Sequence, residues 1–326
     1  MTDATYCSLE DMLEIVLVTH NRASSLDKIL CQFAESPIRN IRISVFDNCS
    51  CDATQDVCQQ YAAILPQLSV VRHRKYIGED AACLQAVESL RVEYGWLLCD
   101  DACYDFSLDP DLIRAIKSND YSAFFVGARA VLEWNGDSTC DMAQLVATGT
   151  RLFASFSSWP TLIFRTSLFD EECLVKGYRL VNNIYWNFPF LNALLDSNAK
   201  IYVSQRQQAM PKEGGLQHFS DLYRYAAWVN CCQSIKNISL REMMITDATA
   251  SCGLLSAVSA WIACDYKFGS IIFWNAVVDI VWGAPTRQRR MLLVLCALMI
   301  APLPRSWRHS LFGWIGVWAT VARIPA

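Results

Sequence analysis

Between Glu14 and Cys99, short apolar runs alternate with stretches whose apolar residues return every three or four positions. The runs are "EIVLVT", "IRISVFD", "LSVVRH" and "GWLLC", and each reads as a buried strand. Between the first two, Leu26, Ile29, Leu30 and Phe33 share one helical face, and Ser24 with Asp27 has the spacing of a capping box. Asp52 and Gln55 repeat that spacing ahead of a second helix through Val57 and Tyr61, and a third helix carrying Leu84, Val87 and Leu90 precedes the fourth run. Strand alternating with helix predicts a parallel sheet covered by helices.

From Asp109 to about Ser204 the pattern is mixed. A helix is expected in "DPDLIRAIK", strands in "YSAFFVGARAVL", "TLIFR" and "KIYVS", and a helix through "FPFLNALL". A helix with Leu222, Tyr225, Ala226 and Val229 closes this part. Three regions follow: a tail over 1–13, a catalytic-type α/β domain over 14–235, and a helical region over 236–326. The last holds long apolar stretches such as "SIIFWNAVVDIVWGA" and "MLLVLCALMIAPLP". None is an uninterrupted apolar span of the ~20 residues that a transmembrane helix needs. From Pro285 onward every full charge is basic: Arg287, Arg289, Arg290, Arg305, Arg308 and Arg323. Trp-rich apolar helices with arginines and no acids fit a segment lying in the interface of an anionic bilayer. The alternative is a helical subdomain packed on the domain or on a second copy of the chain.

Composition narrows the function classes. A chain of 326 residues that is 53% hydrophobic can fill a sizeable core. Its net charge of -4 offers no basic face for nucleic acid. The fifteen cysteines include no CxxC pair, and the polar, acidic start "MTDATYCSLEDMLE" has no secretory signal character. They read as free thiols of a reducing cytoplasm, acting as small hydrophobes.

In open parallel sheets, ligands bind beyond the carboxyl ends of the strands. Those positions carry "THNR", "DNCSCD", "RKYIGED" and "DDACYD". No GxGxxG follows the first strand and no GxxxxGK[ST] occurs, which argues against a dinucleotide fold and a P-loop. The adjacent Asp100 and Asp101 at a strand end repel each other unless a cation relieves them. A carboxylate pair there suits Mg²⁺ or Mn²⁺ bridging to substrate phosphates.

The ordered set "VTHNR", "VFDNCSCD", "RKYIGEDAACLQAV" and "WLLCDDACY" resembles the nucleotide-binding half of a family 2 glycosyltransferase with the GT-A fold, a Rossmann-like, mostly parallel sheet flanked by helices. The resemblance is firm over residues 14 to 106 and loose over 107 to 204. It implies that Thr19, Asn21 and Arg22 frame the base and ribose of a nucleotide sugar. Asp47, with Asn48 beside it, would read the base; an acceptor-only carboxylate favours uracil or thymine. Arg74 and Gly78 would pass near the nucleotide. The family's DXD motif falls on Cys99, Asp100 and Asp101, with Cys99 in the first acidic position. Asp101 is then expected at the metal, Asp100 at the ribose or a metal-bound water, and His218 at the metal or diphosphate, with Lys212 or Arg206 able to face the leaving diphosphate. The family's general base falls on Asn187, which cannot take a proton. An inverting displacement needs a carboxylate or His, and Glu171, Glu172, Asp137 and Asp141 are the nearest acids in sequence. The aromatic "FSSWPTLIF" fits an acceptor site or a core equally well.

The resemblance implies an inverting transferase with a nucleotide-sugar donor, UDP or dTDP favoured, and a divalent cation. Its acceptor would be a hydroxyl of a polyprenyl-diphosphate-linked glycan in O-antigen or capsule assembly, at the inner face of the cytoplasmic membrane, with homo-oligomers possible. Two other readings stand beside it: a degenerate, non-catalytic scaffold in a glycan-assembly complex, and a polyprenyl-phosphate sugar synthase.

Overall fold

The computed structural model describes residues 8–100, 102–127, 136–147, 159–181, 185–211, 227–228, 231–241 and 243–245. The four apolar runs form strands Leu13–Thr19 (β1), Arg42–Asp47 (β2), Leu68–Arg72 (β3) and Tyr94–Cys99 (β4). Four further strands extend the sheet: Ala123–Phe125 (β6), Thr139–Asp141 (β7), Leu162–Arg165 (β8) and Lys200–Val203 (β9). Its order is β3-β2-β1-β4-β8-β6-β9-β7. The short strands Ala102–Tyr104 (β5) and Ala209–Pro211 (β10) pair with each other antiparallel. Helices Leu9–Met12 (α1), Ala23–Glu35 (α2), Thr54–Ala62 (α3), Glu79–Glu88 (α4), Pro110–Ser118 (α5), Met142–Ala147 (α6), Glu171–Arg179 (α7) and Phe188–Asp196 (α8) connect the strands.

Central position explains why β1 is apolar throughout. It lies between β2 and β4, and all seven of its residues are buried. Leu13, Ile15 and Leu17 share one core with Ile43, Val45, Trp96 and Leu98, covered by Leu26, Ile29, Leu30 and Phe33 of α2 and Tyr61 of α3. The opposite face is covered by α4, and α7 packs on α4. Glu14, a charge inside this strand, is neutralised by Arg42 at 3.3 Å and hydrogen-bonded by Ser44 at 3.2 Å. Every described cysteine is a free thiol. Burial pushes Cys58 up to about 11 and Cys173 to about 12, so both remain neutral hydrophobes at physiological pH.

Strand direction decides which loops meet. β1, β2, β3 and β4 run parallel. β8 is antiparallel to both β4 and β6, and β9 is parallel to β6. The carboxyl ends of β1, β2, β3, β4, β6 and β9 therefore share one edge of the sheet. β8 starts at that edge and ends at the opposite one, as does β7, which is antiparallel to β9.

The aromatic stretch that could have lined an acceptor site is, over its described residues, core. Trp159 stacks on Trp186 at 4.7 Å, Phe169 on Phe190 at 4.7 Å, and Phe164 packs edge-on against Trp159 and Phe190. Phe156 to Ser158 lie outside the described residues, as do the expected helix through Leu222 and Tyr225 and the apolar stretches after residue 246. Among the described residues no helix is long and apolar enough to cross a membrane. The chain divides into two compact units, Met1–Gly215 and Leu216–Ala326. In the second, Trp228 is buried and its indole N–H donates to the Met244 carbonyl at 3.1 Å.

The helix starts depart from the local capping boxes. Helix α2 begins at Ala23, and its N-terminus is capped across the fold: Asp52 Oδ2 accepts the Ala23 N–H at 3.0 Å. The other oxygen, Oδ1, accepts the N–H of Thr54 at 3.1 Å and its hydroxyl at 2.5 Å at the head of α3. One carboxylate thus serves two helix N-termini, where the macrodipoles favour negative charge. Desolvation pushes its pKa up, but the hydrogen bonds from Thr54 and Ala23 outweigh it and hold the carboxyl below 3.8. A depressed carboxylate pKa adds stability that is present above the unfolded value and lost as pH falls through the folded one. Asp52→Ala is expected to cost about 1–2 kcal/mol at neutral pH. Asp52→Asn should cost less, and thermal melts should show its gap to the wild type closing as pH falls below about 4; a gap independent of pH would contradict the assignment.

Candidate active site

Three polar loops meet where β1, β2 and β4 end, and the register places their side chains. β1 pairs Thr19 with Asp47 of β2 and Val18 with Cys99 of β4, so Thr19 sits between Asp47 and Asp100. The strand-end charge raised by the sequence is answered here. Asp100 Oδ2 accepts the Thr19 hydroxyl at 2.7 Å, and Oδ1 faces the Arg22 guanidinium at 3.4 Å. The Asp100 side chain is only 10% exposed, so a solvated charge cannot be its resting state and a cationic partner is required. Tyr104 braces the same turn: its hydroxyl accepts the Cys99 N–H at 2.9 Å and donates to the Cys99 carbonyl at 2.8 Å.

Asp47 is fully buried. Its Oδ1 accepts the Ser50 N–H at 2.8 Å, its Oδ2 accepts the Gln55 amide at 2.6 Å, and Arg72 Nε stands 3.4 Å from Oδ2. Arg72 also donates to the Ser50 carbonyl at 2.7 Å. Gln55, expected as a helix cap, therefore serves the Asp47 carboxylate instead. Asn48 is equally engaged: Oδ1 accepts the Ile77 N–H at 3.1 Å and lies 3.2 Å from His73 Nδ1, while Nδ2 donates to the Gly78 carbonyl at 3.1 Å. These two side chains tie the loop after β2 to the loop before α4.

Gly78 is required by its backbone, not by crowding. Its φ of 88° is a glycine conformation, whereas a Cβ there would meet nothing within 4 Å. Asn21 sits at φ 53°, a left-handed conformation that Asn tolerates. Its side-chain oxygen accepts the Cys51 N–H at 2.7 Å, and its backbone N–H donates to Ser50 Oγ at 2.8 Å. Arg74 is exposed on the loop after β3. Beside it the exposed Tyr76 ring lies 4.5 Å from the His20 ring, an aromatic pair at the mouth of the site that sequence reasoning had not singled out.

The structure thus brings Thr19, Asn21, Arg22, Asp47, Asn48, Gly78 and Asp100 to one edge. Asp101 and His218 lie outside the described residues, as does Lys212. Arg206 turns instead to Asp105, at 2.5 Å. Among the described residues no three His, Cys, Asp or Glu side chains gather as a metal group. Asp100 does supply the hard oxygen donor that Mg²⁺ or Mn²⁺ takes.

The four candidate bases do not join this group. Asp141 ends β7 opposite Lys200, the first residue of β9, so it lies at the far edge, where its Oδ1 accepts the Gln144 N–H at 2.7 Å. Glu171 and Glu172 open α7 soon after Thr166, whose N–H is bonded to the Glu93 carbonyl just before β4 begins, again at the far edge. Glu172 is exposed and paired with Lys176 at 2.5 Å. Asp137 precedes β7 at the near edge, but four strand spacings from β4, or roughly 19 Å. Asn187 is buried and heads α8, whose other end leads straight into Lys200 at the far edge. That places Asn187 toward the near edge, as the resemblance implied.

Residues 14–168 match the sequence model of glycosyl transferase family 2. No curated protein matches the chain by sequence. Among solved structures, S. aureus TarS 1-349 superposes with a TM-score of 0.64 at 15% identity, covering 88% of this chain and 87% of that one. The same fragment in complex with UDP-GlcNAc gives 0.62 at 16% identity over the same shares. The mannosyltransferase PcManGT from Pyrobaculum calidifontis, in complex with GDP-Man and Mn2+, gives 0.50 at 15% identity, covering 90% of this chain and 87% of that one. At such identities the likeness lies in the fold, which agrees with the strand order and the polar edge described above. Residues 14–168 make this chain a member of glycosyl transferase family 2, built on the GT-A fold.

Proposed function

We propose that the chain is an inverting glycosyltransferase that moves a sugar from a nucleotide diphosphate to an acceptor hydroxyl. The observation that carries this reading is the convergence of Thr19, Arg22 and Asp100 at the ends of adjacent parallel strands. Arg22 is mobile in chemistry if not in place: its guanidinium balances Asp100 and can turn to the donor's diphosphate, which it would orient and whose charge it would share. Asp100, with Asp101 next to it in sequence, would hold a Mg²⁺ or Mn²⁺ ion. The chemistry such an ion supplies is neutralisation of the leaving diphosphate. Thr19 fixes the Asp100 carboxylate so that it meets the donor without reorganising.

The base is read by the loop that Asp47 and Asn48 hold in shape, since both side chains are spent on that loop. A UDP-type donor is favoured because TarS structures of this fold are in complex with UDP and UDP-GlcNAc. Asn187 stands at the base position and takes no proton, so the acceptor hydroxyl needs a base from elsewhere in the chain. The acceptor we propose is a polyprenyl-diphosphate-linked glycan of a surface polysaccharide, met at the inner face of the cytoplasmic membrane. Support for that comes from the Trp-rich apolar stretches after residue 236 and their six arginines from Arg287 to Arg323.

Two outcomes test this. In a thermal-shift panel of UDP, dTDP and GDP sugars with Mn²⁺, a UDP or dTDP sugar should raise Tm, by about 2.7 kcal/mol of stabilisation at a hundredfold excess over Kd, and slow metal-stimulated release of the nucleotide diphosphate should accompany it. Neither shift nor release with any donor would leave the scaffold reading in its place. In a sedimentation assay, the full chain should pellet with phosphatidylglycerol-rich vesicles and less with pure phosphatidylcholine. Equal binding to both, or none to either, would remove the membrane part of the proposal.

A further inference from the structure

Gln208 is fully buried, and neither its Nε2 nor its Oε1 meets a hydrogen-bond partner. Its backbone is clamped on both sides. The Gln208 N–H donates to the Val126 carbonyl at 2.7 Å, and its own carbonyl accepts the Asp105 N–H at 2.8 Å. The side chain therefore cannot be withdrawn to solvent without breaking the link between β6 and the start of β10. The other buried polar side chains of this half are paired: Glu14 with Arg42 and Ser44, Asp47 with Gln55, Asn48 with Gly78. An amide left with three unmet hydrogen-bonding sites is costly, and such groups in native proteins call for an explanation in function or bound solvent.

Its place in the sheet supplies one. The carboxyl end of β6, Val126 and Gly127, lies at the same edge as Asp100, and so does the turn Trp159–Thr161 that opens β8. The two are drawn tightly together. A Cβ on Gly127 would stand 2.3 Å from the Thr161 Cβ, so only glycine allows this approach. Trp159 in that turn is also buried, and its indole N–H has no acceptor. Along the edge the order runs from Asp47 through Thr19 and Asp100 to Trp159–Thr161 and then to Val126 and Gln208. With a nucleotide over the first three, the sugar end of the ligand points toward the last.

Resting on the glycosyltransferase reading, we propose that Gln208, supported by the Trp159 turn, recognises sugar hydroxyls at the far end of the active-site edge. A carboxamide presents two donors and an acceptor, which matches adjacent pyranose hydroxyls, each able to give and accept one hydrogen bond. The sugar is either that of the donor or that of the acceptor. Gln208 is a specificity residue, and its unpaired state is what a site built to bind a hydroxyl exhibits when the hydroxyl is missing.

The test uses the full chain carrying Gln208→Leu, with Gln208→Met as a second variant of conserved volume. UDP should bind both as it binds the wild type. The intact nucleotide sugar that stabilises the wild type should bind about tenfold more weakly if the donor sugar is the ligand. If the acceptor sugar is the ligand, nucleotide-sugar binding is unchanged and the binding of methyl pyranosides in the presence of UDP falls about tenfold instead. Unchanged binding in both sugar arms overturns the proposal, and so does failure of both variants to fold, which would make the amide a structural group. Failure of UDP to bind the wild type would count against the nucleotide-sugar reading itself, and is separable from any result on Gln208.

Discussion

A carboxylate at the end of a buried strand must be answered by something, and much of this active-site edge is arranged around that requirement. Asp100 closes the most aromatic strand of the sheet and is almost covered, so its charge depends on the Thr19 hydroxyl and the Arg22 guanidinium. Both come from the neighbouring strand and the turn after it, which the parallel pairing of β1 with β4 sets in place. Asp47 obeys the same constraint on the other side of β1, with Arg72, Gln55 and Ser50 as its partners. The difference between the two is exposure and composition. Asp47 is sealed into its loop, while Asp100 keeps one oxygen toward a half-exposed arginine that a diphosphate can recruit.

The loops owe their shape to the same economy of polar groups. Asp52 stops two helix N-termini at once, and Asn48 stitches the loop after β2 to the turn at Gly78. Because each of these side chains satisfies backbone groups of a loop other than its own, the loops hold one another in position. Preorganisation of this kind is what an electrostatically assisted transfer needs, since groups already aligned do not have to reorganise when charge develops.

The strands and the polar edge were legible in the sequence because period and composition report burial directly. "EIVLVT" can only be a strand buried on both faces, and the motifs that follow each run had to lie at its carboxyl end. Partners across the fold were not legible. Ser24 with Asp27 has the spacing of a capping box, yet α2 takes its cap from Asp52, because a carboxylate offered by a neighbouring loop competes with the local one. Strand direction was the other hidden variable. Glu171, Glu172 and Asp141 stood as candidate bases by proximity in sequence, and only the antiparallel course of β8 and β7 puts them at the edge away from Asp100. Gln208 gave no signal in "SQRQQAM", since burial of one glutamine among three is set entirely by tertiary packing. The fold itself hosts many specificities, so the sugar and the acceptor must be read from residues of this kind.

The central claim is that Asp100, held by Thr19 and Arg22, is the point where the chain meets the cation and diphosphate of its donor. Calorimetric titration of UDP into the wild type and Asp100→Asn, each with Mn²⁺ and with EDTA, tests it most directly. The account predicts that Mn²⁺ tightens UDP binding to the wild type about tenfold or more and that the folded Asp100→Asn variant loses this dependence. A metal-dependent gain that survives intact in Asp100→Asn would contradict it.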